Sequence, residues 1–166
     1  MKNNILTYGG FFGAIMCISS YAYLNSMIST TISMVVTFGA LLVVLVMAGL
    51  AYRKSQEGFA SFGELIKLYG GIIIMAILMS TIFSLIYMST LDEATKSAIS
   101  EKMMDNAMSM YESMGVPQDQ MDIMSDELEK QFENMFSPST LIQGALINFL
   151  MYFIISLIPA AILKKN

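Results

Sequence analysis

Four stretches of the chain are apolar almost without interruption, and each is long enough to cross a bilayer. They run from about Ile5 to Leu24, Ile32 to Tyr52, Leu65 to Met88 and Leu141 to Leu163, and Lys67 is the one Asp, Glu, Lys or Arg inside any of them. A hydrocarbon core of about 30 Å is spanned by about 20 residues of helix. Membrane barrels show short alternating segments instead of continuous runs, so the pattern predicts four transmembrane helices. The first run is longer than the apolar part of a secretory signal and has no clear small-x-small cleavage site before Asn25. It reads as a retained anchor.

Between the third and fourth runs the pattern changes. Thr90 with Glu93 has the spacing of a capping box, which predicts a helix starting just after the third span. Gly115 and Pro117 predict a stop followed by a new start. On the first predicted helix Ile99, Met103, Met110 and Met114 fall on one face, with Glu101, Asp105 and Glu112 opposite. On the second, Met121, Met124, Leu128, Phe132 and Met135 form a stripe with steps of three and four, set away from Asp122, Asp126, Glu129 and Glu133. The expected element is an amphipathic helical hairpin with a Met-rich seam. Two helices have little core of their own, so the hairpin leans on the span ends, pairs with a second copy or docks on a partner.

Local signals sharpen the boundaries. Ser61 with Glu64 makes a capping box opening the third helix, and Ser137 followed by Pro138 fits an N-cap and first-turn proline opening the fourth. Pro159 lies inside the fourth span and is expected to kink it or loosen its last turn. The predicted fold is therefore an all-α integral membrane protein in three parts: residues 1–90 with three spans, 91–137 with the hairpin, and 138–166 with the fourth span and a basic tail.

Composition agrees with this picture. Of 166 residues 55% are hydrophobic and only 13% charged, about half the usual charged share of a soluble domain. The charges are sorted by position. Lys2, Arg53, Lys54, Lys67, Lys164 and Lys165 lie at the termini and the second connection, whereas residues 91–137 hold eleven acids and three lysines. Lys and Arg near span ends mark the cytoplasmic side. This places both termini and the Arg53–Lys54 turn in the cytoplasm, and the acidic hairpin on the outer side of the membrane. Anionic headgroups repel acidic helices, so the hairpin is not expected to lie on lipid.

Candidate chemistry is sparse. The chain has no histidine and one cysteine, Cys17, so Ser/His/Asp or Cys/His catalysis is impossible and an enzyme is the least supported class. No catalytic residue, cofactor-binding residue or metal ligand set is assigned, and no basic patch points to nucleic acid. Of 17 methionines, eight lie in 91–137. Met103, Met104, Met108, Met110 and Met114 are close enough for a soft Cu(I) site, but a seam of adaptable apolar side chains explains most of them without a metal. The acidic stripe lacks a calcium-loop pattern and reads as a solvated face. The mid-span polar groups are neutral: Ser80, Thr81, Ser84, Gln143, Asn148, Tyr152 and Ser156. They serve interhelical hydrogen bonding as well as they would a substrate path. Gly9, Gly13, Gly70, Gly71 and Gly144, together with Asn148, are the residues expected to carry helix packing.

The segment Gly58-Phe59-Ala60-Ser61-Phe62-Gly63-Glu64, the motif Phe136-Ser137-Pro138 and the ending Ile158-Pro159-Ala160-Ala161-Ile162-Leu163-Lys164-Lys165 resemble those of an uncharacterised family of small bacterial membrane proteins, filed as a domain of unknown function. Members are similar in carrying an acidic, Met- and Glu-rich helical insert before the last span. The resemblance implies a bacterial cytoplasmic membrane, and it brings no activity and no catalytic residues.

The functional expectation is an interaction or structural protein whose bundle, set in the lipid bilayer, holds the hairpin out to a partner or a second copy. The expected contact surface is Met103, Met110, Met114, Met121, Met124, Leu128 and Phe132. The alternatives are an oligomeric small transporter or channel component, and Cu(I) binding by the outer methionines.

Overall fold

The computed structural model describes all residues except Ser26, Gln118, Asp122, Asp126, Glu127, 129–133, Met135, Phe136, Lys165 and Asn166; the side chain of Met110 is also outside the description. Among the described residues the chain is helical with no strand. The elements are α1 (Lys2–Leu24), α2 (Thr30–Ser55), α3 (Phe62–Thr90), α4 (Glu93–Ser113) and α5 (Pro138–Leu163). Among the described residues, helices α1, α2, α3 and α5 are the four long and apolar enough to cross a membrane, and they overlap the four apolar runs to within a few residues. Contacts divide the chain into two units, Met1–Ser84 with Gly144–Asn166, and Leu85–Gln143.

The helix starts follow side-chain chemistry. Ser29 caps α2 by accepting from the Ile32 N–H at 3.3 Å. The Ser61–Glu64 box forms in both directions: Glu64 Oε2 accepts from the Ser61 N–H at 2.9 Å, and Ser61 Oγ accepts from the Glu64 N–H at 3.3 Å. Ser137 Oγ accepts from the Thr140 N–H at 3.2 Å, with Pro138 in the first turn of α5. The α4 start differs from expectation. Thr90 closes α3 instead, donating its hydroxyl to the Tyr87 carbonyl at 2.6 Å. The cap is Asp92, whose Oδ1 accepts from the Thr95 N–H at 2.8 Å. An ionised carboxylate is the better partner for the positive end of a helix. The Thr95 bonds, aided by Lys96, hold the Asp92 carboxyl below the usual range.

The ends are equally local. After Ser113, Gly115 takes a φ of 76° and the Val116 N–H bonds the Tyr111 carbonyl at 3.2 Å. This is the left-handed closure that favours glycine. Residues 119–121 and 123–125 are helical again beyond Pro117. Helix α5 continues through Pro159, and the Lys164 N–H still reaches the Ala160 carbonyl at 3.1 Å.

In the first unit the four apolar helices share one core, which includes Phe12, Leu41, Leu45, Leu65, Leu68, Tyr69, Ile72, Ile73 and Tyr152. Helix α1 runs parallel to α3. A Cβ on Gly9 would sit 2.8 Å from Met75 Cβ, one on Gly13 3.1 Å from Met79 Cβ, and Ile5 in turn fills the space over Gly71, 2.6 Å from a Cβ there. Each glycine is a notch for a side chain of the other helix, the close approach that small residues permit in apolar surroundings. Helices α2 and α5 run the opposite way: Gly49 meets both Tyr69, near the start of α3, and Leu163, at the end of α5. The start of α1, the Arg53–Lys54 end of α2 and the end of α5 thus lie at one end of this unit. Ser19 and Ser33 join α1 to α2 through their hydroxyls at 2.9 Å.

Candidate functional site

Three places merit attention as sites: the polar groups within the apolar helices, the Arg53–Tyr69 end of the bundle, and the Met-rich face of α4.

The hydroxyls in the spans mostly satisfy themselves. Ser80 donates to the Ile77 carbonyl at 3.1 Å and Ser156 to the Phe153 carbonyl at 2.6 Å. Tyr152 is buried among rings, edge-on to Phe12 at 6.0 Å and to Phe38 at 5.8 Å between centroids. These contacts seat α5 against α1 and α2. Asn148 and Gln143 differ: both are exposed, and neither is among the residues with a described side-chain hydrogen bond. Of the packing residues expected from sequence, Gly9, Gly13 and Gly71 are tight notches. A Cβ on Gly70 would make an ordinary 3.7 Å contact with Phe153, and one on Gly144 would meet nothing within 4 Å.

At the other end, the Tyr52 hydroxyl interacts with the Glu64 carboxylate, and Lys67 adds a favourable charge to Glu64. Tyr69 is 0% exposed, and both its hydroxyl and Arg53 Nε are buried without a hydrogen-bond partner. The Tyr69 hydroxyl is pressed against Gly49, which leaves no space there for a ligand. Sequence reasoning missed this residue, because nothing in an apolar run marks which tyrosine is aimed inward.

In the second unit, Lys96, Ile99, Ser100, Met103, Met104, Ala107, Met108 and Tyr111 are half-buried, while Glu93, Glu101, Lys102, Asp105 and Glu112 are exposed. The covered stripe of α4 steps by three and four as a helix face should. It bypasses Met114, which lies beyond the helix end and is 70% exposed. On the following segment Met121 is buried and Met124 and Leu128 are half-buried. Phe132, Met135 and the acids Asp122, Asp126, Glu129 and Glu133 lie outside the described residues. Met103, Met104 and Met108 occupy one face, and Met114 is not on it. Among the described residues no group of three or more His, Cys, Asp or Glu is placed to hold a metal.

A family model described as protein of unknown function (DUF4199) matches residues 7–165. The chain belongs to this family. The match to DUF4199 covers nearly all of the four apolar helices and the intervening segment, in accord with the resemblance carried by the Ser61 and Ser137 regions. No curated protein and no solved structure matches the chain.

Proposed function

We propose that the chain is a non-enzymatic protein of the bacterial cytoplasmic membrane whose four-span bundle presents the 91–137 hairpin, on the outer side, to a partner protein or a second copy. The observation that carries this reading is the α4 stripe. Ile99, Met103, Ala107 and Tyr111 form a continuous apolar face that is only half covered, beside an exposed acidic one. A half-covered Met-rich face is an adaptable contact surface. The acids surrounding it favour a protein over an anionic lipid surface. The orientation follows from charge. Lys2, Arg53, Lys54 and Lys164 belong to the end of the bundle where α1 starts and α5 ends, and basic span ends face the cytoplasm.

Two measurements test the two parts. With Cys17 replaced by alanine, a cysteine introduced at Glu112 should react in intact cells with a thiol reagent that cannot cross the membrane. Labelling only after lysis would reverse the orientation. For the contact, a photo-crosslinking amino acid at Glu112, activated in cells, should give a discrete adduct with a protein or a second copy, lost when Met103→Asp and Leu128→Asp are combined. An adduct insensitive to both substitutions, or none, would remove the docking role of the hairpin.

A further inference from the structure

Asn148 is the only Asn or Gln in the four apolar helices more than two turns from a helix end. It lies ten residues after Pro138 and fifteen before Leu163, about 15 and 22 Å along the axis at 1.5 Å per residue. Its side chain is exposed, and no described residue of the chain bonds it. In hydrocarbon neither water nor a headgroup reaches that depth, and an amide left unpaired there is strongly unfavourable. Gln143, also exposed, is different: it is longer and sits near the start of α5, where it can reach the interface. A serine or threonine in the same place would return its hydroxyl to its own helix, as Ser80 and Ser156 do. The asparagine amide carries two donors and an acceptor and needs an external partner.

We infer that Asn148 is the centre of a contact between two copies of this chain, in which the two α5 helices run side by side and their Asn148 amides bond each other. Three observations choose a second copy over another occupant. The amide is self-complementary, donor to acceptor. A second copy inserted in the same orientation places its own Asn148 at the same depth, which no lipid does. Gly144, one turn before Asn148 on the same face, has open space where a side chain would be, so a second helix can approach closely. The Gly9–Gly13 notch is already filled by Met75 and Met79, which leaves Gly144 as the unfilled notch of the expected set. This contact is separate from the hairpin and does not depend on what the hairpin binds.

The test is cysteine crosslinking of the full chain in vesicles of phosphatidylethanolamine and phosphatidylglycerol, with Cys17→Ala as background. Met151→Cys lies on the Asn148 face, and Leu146→Cys lies opposite; both positions are exposed. A disulfide needs Cα atoms within about 7 Å. Oxidation should link the copies at position 151 and not at 146. Asn148→Leu should weaken the association about tenfold, the effect of about one interhelical hydrogen bond, with helix content unchanged. Asn148→Gln should retain the link, and so should the Met103→Asp, Leu128→Asp pair. Equal linking at 151 and 146, no linking, a yield indifferent to Asn148→Leu, or a link lost with the hairpin substitutions would each overturn the proposal.

Discussion

Gly9→Leu is expected to destabilise the bundle by about 3 kcal/mol, near the upper end of ordinary overpacking, while Gly10→Leu next to it costs little. A Cβ on Gly9 would lie 2.8 Å from Met75 Cβ and 3.1 Å from the Ile72 carbonyl oxygen, whereas one on Gly10 meets nothing within 4 Å. Met75 is flexible and can move its outer atoms, but its Cβ and the Ile72 carbonyl are fixed to the α3 backbone. The leucine must therefore push α1 off α3 and loosen the Gly13–Met79 contact one turn away. Both substitutions gain helix propensity relative to glycine, so the difference between them isolates packing. Thermal unfolding of the purified chain in detergent measures it. Equal midpoints for the two variants would mean that α1 is not seated on α3 through this notch.

Tyr69 should show opposite signs for two substitutions. Tyr69→Ala removes one of the largest fully buried side chains of the core and should cost about 3–5 kcal/mol, as a large aromatic truncation does. Tyr69→Phe keeps the ring and removes a buried hydroxyl that has no partner. An unsatisfied buried donor costs about 1–3 kcal/mol, so this variant should be more stable than the parent by about 1 kcal/mol, the low end of that range. The same unfolding measurement decides it. A clear loss of stability in Tyr69→Phe would show that the hydroxyl is bonded after all.

The spans are legible in the sequence because burial in lipid demands unbroken apolar runs, and caps such as Ser61–Glu64 and Ser137 are local chemistry spelled out in adjacent residues. What stays hidden is direction. In a soluble helix the polar face points outward and so reveals the inner one. In α1, α2, α3 and α5 both faces are apolar, so nothing distinguishes inward Tyr69 from outward residues, or the filled notch at Gly9 from the open one at Gly144. The same ambiguity hides the exposure of Asn148. In α4, where polarity does alternate, Ile99 and Met103 of the expected face lie on the half-buried stripe, while Ala107 and Tyr111 on that stripe are not in the expected set. Periodicity alone overshoots it at Met114, because the pattern runs past the end that Gly115 imposes. The α4 cap goes to Asp92 over Thr90 because Thr90 is already closing α3.

The length of α3 has a consequence for the surrounding lipid. Its 29 residues extend about 43 Å at 1.5 Å per residue, well beyond a hydrocarbon layer of about 30 Å. The two ends of this excess are unlike. At the start, Glu64 and Lys67 halt any sinking of the helix into the layer. At the finish, Leu85, Ile86, Tyr87 and Met88 carry no charge, and the first charged side chain is Asp92. A thicker bilayer can therefore immerse that end at little cost, and a thinner one can release it. For α3 as a transmembrane helix, hydrophobic mismatch is expected to be taken up at its Thr90 end.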